Sequence, residues 1–464
     1  MHFLMKSEFE FVSDTFLIAI LMKYIGSVLV NILVIIRFYS RYLGRANLRV
    51  GNAMGKSYLK LFLVLLSLGS TKLVYAEQAF SSESKWMLGD WNGKRSALSE
   101  QGYDFSVTYS GQAATMLDTS IDSNKDTGYA DQWNFTAGFD LSKILNWDDT
   151  QAFINITKRD GNQIENKDNI LSSHISQVQE VYGRGQTWRL TDLWVKKSFL
   201  NNQLDLKVGR FGEGEDFASL DCEFENLALC GGQIGHWSGD QWYNSPVSQW
   251  ATRLKWNIST ELAAQIGVYE VNPDNLKSSK GFNLSTSGSE GVLIPIELIW
   301  KPALTEQKLT GEYRLGYYYS TVDAHNIQTN TVKTENKSGV WIAAKQQLTS
   351  HADDASRGLS VIGQVALYDN KTSIYNDVET IALVYEGLSN KRPADEVGFG
   401  VSRIAVDSKF NPDLDYELNA ELYYGIKMSN WLKIRPNIQY VDHIGANSKN
   451  GSAWVAGVKF NTSF

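Results

Sequence analysis

The chain has 464 residues and a formal net charge of -7; 20% of the residues are charged and 12% aromatic, which is enough sequence for one large or two ordinary domains. Its 7 prolines exclude proline-rich linkers and its 2 cysteines exclude a dense disulfide scaffold, while 37 glycines, 22 tyrosines, 20 phenylalanines and 14 tryptophans lean towards strands and tight turns. The acidic balance, without a basic run in the body of the chain, argues against general affinity for nucleic acid.

The first 76 residues differ in kind from the rest. They hold nine Lys or Arg against three acids, so they carry +6 and leave -13 on the other 388 residues. From Met54 the sequence runs MGKSYLKLFLVLLSLGSTKLVYA, with basic residues at Lys56 and Lys60, an apolar run from Leu61 to Leu68, and small-residue spacing ending at Ala76. Residues 54–76 therefore read as a Sec-type signal peptide cleaved after Ala76, and the mature chain is expected to leave the cytoplasm. Residues 1–53 read as an upstream extension ahead of the true start at Met54; the other reading is a membrane anchor, which makes little topological sense before a signal.

Residues 77–102 are expected to form a short periplasmic segment. Beyond them no stretch of about 18 apolar residues occurs, so no helical span is expected. Alternation with period two recurs instead, placing successive side chains on opposite faces of a sheet. Tyr103, Phe105, Val107 and Tyr109 share one face, and Trp133, Phe135, Ala137, Phe139 and Leu141 repeat the pattern. Later copies set Leu315, Tyr317 and Tyr319 against Arg314, Gly316 and Tyr318, and Leu422 and Tyr424 against Glu421 and Tyr423.

Sixteen such segments begin near residues 103, 130, 150, 189, 203, 248, 262, 291, 309, 337, 357, 376, 395, 415, 431 and 453. Short connections such as Leu200 to Gln203 alternate with long ones, of which 160–188 and 211–247 are the longest. Even strand number with short turns at one end and long loops at the other is the pattern of an all-β transmembrane antiparallel β-barrel, residues 103–464, with long extracellular loops folded into the pore. Tyr103 with Tyr109, and Trp454 with Phe464, bracket strands as interfacial aromatic girdles do. Two features fit badly: Pro295 and Pro436 fall inside strands, and the segment at 189 has ambiguous parity, with Leu190 and Trp194 sharing a face with Asp192 and Lys196.

A barrel this wide is not filled by wall side chains and leaves an aqueous channel. Inward parity falls on Arg159, Arg253, Lys255, Arg314, Lys345, Lys433 and Arg435, which suggests a cationic lining tempered by Glu312 and Glu421. The first long loop holds QVQEVYGRGQTWRL, with Glu180, Arg184 and Arg189 around two glycines; the second is aromatic-rich and is expected to fold inward as a constriction. Guanidinium groups beside aromatic faces suit sugars, so Trp188, Trp237, Trp242 and Tyr243 are stacking candidates, against the alternative that such residues anchor at the lipid interface. Cys222 and Cys230, in a chain bound for an oxidising compartment, are expected to form a disulfide rather than a metal pair.

The stretches LGDWNGKR (Leu88 to Arg95), QEVYGRGQTWRLT (Gln179 to Thr191), DLKVGRFGEGEDF (Asp205 to Phe217), CEFENLALCG (Cys222 to Gly231), YNSPVSQWATRLK (Tyr243 to Lys255) and GVYEVNPD (Gly267 to Asp274) resemble the carbohydrate-selective porin family of the OprB type. The resemblance implies a sixteen-stranded outer-membrane barrel with a narrow, arginine-rich eyelet that passes glucose and similar sugars. It carries Arg159, Glu180, Arg184, Arg189, Arg210, Arg253 and Arg95 over as eyelet residues; Asn92 departs from the family's paired glycines. The expected partners are small neutral sugars, outer-membrane lipid and, through the last strand ending in Phe464, the barrel-assembly machinery; no cofactor or metal is expected. A barrel enzyme is the rival class, but His174, His236, His325, His351 and His443 stand alone, without GxSxG or HExxH spacing. An adhesion or anchoring barrel is the other alternative.

Overall fold

The computed structural model describes residues 78–120, 126–304, 309–329, 334–351 and 354–464. The expected upstream extension (1–53) and signal peptide (54–76) lie outside the described residues. The strands are β1 (Tyr103–Thr119), β2 (Thr127–Asp140), β3 (Thr150–Asn162), β4 (Trp188–Phe199), β5 (Leu204–Phe211), β6 (Gln249–Asn257), β7 (Leu262–Val271), β8 (Gly291–Trp300), the two-residue β9 (Ala303–Leu304), β10 (Leu309–His325), β11 (Thr334–Gln347), β12 (Gly358–Tyr368), β13 (Tyr375–Glu386), β14 (Glu396–Val406), β15 (Tyr416–Lys427), β16 (Leu432–Asp442) and β17 (Ser452–Ser463). Setting β9 aside, the sixteen long strands begin within three residues of the sixteen expected starts, the largest differences being Thr127 against 130 and Thr334 against 337.

Each long strand pairs antiparallel with the next, β10 pairs with β8 as well as with β9, and β1 pairs with both β2 and β17, so the sheet closes. Closure removes both sheet edges, which a membrane requires because lipid supplies no hydrogen-bond partners. Alternation decides which face meets what. On β10, Arg314 is 8% exposed and its neighbour Leu315 is 52% exposed; Ile266, Leu298, Ile342, Leu367, Ile381 and Phe399 share that outward exposure. A soluble protein would bury such side chains; facing lipid, they form the barrel's apolar band. Aromatic pairs border it, Trp300 with Tyr313 at the short-turn end and Tyr440 with Trp454 at the opposite end.

The two prolines sit where ladders break. Pro295 pairs opposite Tyr318 of β10, while the ladder to β7 lapses between Ile266–Ile296 and Tyr269–Leu293. Pro436 pairs opposite Val458, and the β15–β16 ladder lapses between Tyr423–Asn437 and Ile426–Ile434. A residue without N–H is thus tolerated by surrendering one neighbour locally. The parity problem in β4 is a β-bulge: Asn155 pairs with Asp192 but Ile156 pairs with Leu190, skipping Thr191. Arg189, Thr191 and Asp192 are consequently all buried.

Residues 78–102 lie at the short-turn end. Met87 N–H donates to the Ser463 carbonyl, and Asn430 N–H and Trp431 Nε1 donate to the Ser82 and Ser81 carbonyls. Helix α1 (Lys94–Glu100) follows and presents the buried Arg95.

Candidate functional site

Two loops enter the barrel. The first, 163–187, packs Ile164, Leu171 and Val178 against inward Met116, Val441 and Val455. Its backbone is fixed by wall side chains: Glu417 accepts from Ile175 and Ser176 N–H, Gln112 accepts from Val181 N–H, and Gln439 donates to the Val178 carbonyl. The second, 212–248, buries Phe217, Ile234, Trp237, Trp242 and Tyr243 against Tyr269, Tyr318, Trp341 and Ile404 of the wall. Glu421 accepts from Glu225 and Asn226 N–H, Glu297 accepts from Ala218 N–H, and Gln364 accepts from Gln233 N–H. The loops also bond to each other, Leu227 N–H to the Gln177 carbonyl and Glu180 N–H to the Glu225 carbonyl. Burying backbone polar groups inside a barrel demands such acceptors, and the inward strand positions supply them.

His174 is part of this anchoring. Its Nδ1 lies 3.1 Å from Glu165 and its Nε2 3.3 Å from Glu417, all three side chains being shielded from solvent. Burial alone favours loss of the ring's proton, but Glu417, Glu165 and Asn419 hold it on, and the pKa is pushed up to about 9. A raised histidine pKa adds stability that is complete below about pH 6.5 and is lost as pH rises through about 9. The wild-type urea midpoint should therefore fall across that window, and His174→Gln should flatten the fall; parallel curves would remove the histidine from this role. Buried carboxyls that titrate nearby, such as Glu213, are common to both proteins and cancel in the comparison.

Between the loops and the wall of β1–β4 and β17 lies a cavity of about 990 Å³. One side is polar, with Gln132, Asn134, Asn155, Arg159, Asp192 and Lys459. The other is largely apolar, with Phe217, Leu227, Trp237, Trp242, Tyr375 and the Cys222–Cys230 bridge. Glu180 and Arg184 reach it from the first loop. Arg159 Nε donates to Gln132 Oε1 at 2.7 Å and its Nη1 to the Tyr182 carbonyl at 3.1 Å. Gly183, Arg184 and Gly185 follow one another at φ 104°, 61° and 91°. Glycine enters that region freely; Arg184 does so at a cost of about 1–3 kcal/mol. Burial holds the Arg184 guanidinium below its usual pKa, with Asp240, Tyr243 and Glu213 opposing the shift.

Three of the expected eyelet residues, Arg159, Glu180 and Arg184, thus meet in the cavity; the other four lie elsewhere. Arg189 grips the Arg184 carbonyl through Nε and Nη2 at 2.9 and 2.6 Å and bonds the Asn275 and Leu276 carbonyls, so it fixes the turn that carries Arg184. Arg210 is spent on Ser248, because the second loop returns to the wall there. Arg253 is held in the wall by Asp205 and Asp216. Arg95 lies over the rings of Trp86 and Trp91 and donates to the Phe464 carbonyl, joining the amino-terminal segment to the chain end.

The aromatic set divides likewise. Trp237 and Trp242 border the cavity, Tyr243 is buried in the loop core, and Trp188 faces outward, 46% exposed and stacked on Phe135, as a lipid-interface residue. Much of the expected cationic lining is paired with acids: Arg314 meets Glu297 and Glu312, Lys345 meets Asp221, and Lys433 and Arg435 meet Glu223 and Glu396. Within the cavity three bases (Arg159, Arg184, Lys459) face three acids (Glu180, Asp192, Glu215), with His236 beside them.

A closed sixteen-strand barrel with a greasy exterior, a polar lumen and loops folded into that lumen defines the porin class of outer-membrane channel. The family model described as "Carbohydrate-selective porin, OprB family" matches residues 124–464, and the chain belongs to that family. It is 44% identical over 434 residues to Porin B of Pseudomonas aeruginosa, covering 86% of this chain and 95% of that one. It is 40% identical over 438 residues to the putative porin QuiX of Acinetobacter baylyi, covering 88% and 100%. Among solved structures, OprB of Pseudomonas putida at high pH superposes with a TM-score of 0.80 at 43% identity, covering 83% of this chain and 100% of that one. Salmonella typhi OmpF, at 11% identity and a TM-score of 0.51 over 79% and 99%, shares the fold.

Proposed function

We propose that this porin passes small neutral sugars by passive, saturable diffusion through the cavity between its two inward loops. The observation that carries the reading is the two-sided lining. Arg159, Glu180, Arg184, Asn134 and Asn155 offer donors and acceptors to hydroxyl groups, while the Leu227, Trp237 and Tyr375 side offers apolar surface to the C–H face of a ring. Equal numbers of bases and acids leave a neutral solute favoured over an ion of either sign. Each contact is weak enough for the solute to leave again. In the same reading the chain reaches the outer membrane through its signal peptide, and the last strand, ending at Phe464, is the segment an assembly factor recognises.

Liposomes containing the purified protein should swell in isotonic monosaccharide at a rate that saturates with concentration, and more slowly in disaccharide or in a charged sugar acid. Swelling equal for all solutes of one size would leave an unselective pore, and no swelling in any of them would leave the anchoring role.

A further inference from the structure

We propose that Lys459 sets the charge of the constriction by neutralising Glu180, and so decides that the channel favours uncharged solutes. The proposal rests on the cavity being the passage. Lys459 lies on the inward face of β17, and its side chain is 3% exposed. Its ammonium is held from three directions: 2.8 Å from the Phe224 carbonyl and 3.1 Å from the Cys222 carbonyl, both in the second loop, and 3.2 Å from Glu180 Oε1 in the first. Cys222 Sγ lies 3.4 Å away.

Register explains why this position can do it. Lys459 stands directly across the ladder from Gln112 of β1, and Gln112 Nε2 donates to the same Glu180 oxygen at 3.0 Å. Neighbouring strands therefore present one charged and one neutral donor to a single carboxylate, which both lines the cavity and accompanies Arg159 across it. The two carbonyl bonds fix the ammonium in place, so its charge is available at this spot whether or not a solute is present. Two further acids, Glu225 and Glu421, lie near it and are buried, but they do not border the cavity. A purely structural role for Lys459 would be played towards those two acids and the two loop carbonyls; a selectivity role is played towards Glu180.

The test is the reversal potential of the full-length channel in planar bilayers under a potassium chloride gradient, alongside sugar swelling. Lys459→Gln should shift the cation-to-anion permeability ratio towards potassium by up to about tenfold, the low end of what a cleft lined by one sign of charge does to local counter-ion concentration. Glu180→Gln should move it the other way, and the double variant should return near the wild-type value. Lys459→Arg should keep the wild-type ratio. A ratio that Lys459→Gln leaves unmoved, or a double variant no nearer wild type than Lys459→Gln alone, overturns the assignment. Should Lys459→Gln fail to fold, the Glu180→Gln shift carries the decision, and its absence is equally fatal. If wild type passes no sugar, the passage reading fails on its own, whatever the reversal potentials show.

Discussion

A channel carrying Arg159→Ala and Arg184→Ala together should pass more ion current and discriminate less among sugars. Both guanidinium groups border the cavity, one fixed on β3 by Gln132 and the Tyr182 carbonyl, the other carried on a left-handed turn. Removing them widens the opening and deletes the charged donors that hold sugar hydroxyls. A hydrogen bond to a charged group contributes about 1.5–3 kcal/mol, so the loss of even one such contact raises the half-saturating sugar concentration roughly tenfold or more. Current block by a monosaccharide series in planar bilayers reads both effects. Arg210→Ala and Arg253→Ala, whose side chains serve Ser248, Asp205 and Asp216, should leave the block curve where it was. Unchanged conductance and unchanged block in the double variant would remove Arg159 and Arg184 from the passage.

Glu297→Ala should cost the barrel about 3–5 kcal/mol, the penalty for breaking a buried ion pair from one side. The Glu297 carboxylate accepts four bonds: from Ala218 N–H at 2.8 Å, Gln265 Nε2 at 2.9 Å, Arg314 Nη1 at 2.8 Å and Trp341 Nε1 at 2.9 Å. Alanine leaves Arg314 with Glu312 as its one remaining carboxylate and strands three further donors in a site that is 4% exposed. Ala218 belongs to the second loop, so the loss also frees one of that loop's contacts with the wall, and single-channel current should become larger and noisier. Urea unfolding in detergent measures the stability change. A midpoint within error of wild type would show that water replaces the carboxylate without penalty.

The barrel was legible because its two solvents differ so sharply. Lipid on one face and water on the other force alternate residues to opposite chemistries, and that period survives in the sequence without knowledge of any neighbour. The conflict of parity in β4 shows in the sequence, but its resolution as a bulge at Thr191 does not, since that hydroxyl meets Thr157 Oγ1 and the Pro246 carbonyl across the structure. The arginines show the same limit. Parity places Arg159 and Arg253 alike on the inner face, but only the path of the second loop decides that Asp216 reaches Arg253 and that Arg159 borders the cavity. Lys459 alternates with outward Val458 and Phe460 in the final strand, but a lone inward lysine looks like any solvated wall residue until the folded loops set it against Glu180.

The second loop leaves the wall after β5 and returns at β6, yet its middle is fastened to Gln364 on β12, Glu421 on β15 and Asn437 on β16. It is a chord thrown across a cylinder. A hollow tube of this girth yields to lateral squeezing by becoming oval, and an ellipse of the same perimeter has a narrower waist. Pinned at both rims of its span, the loop resists that flattening as a spoke resists the collapse of a wheel, so the aperture beside it keeps its calibre when the surrounding lipid is compressed.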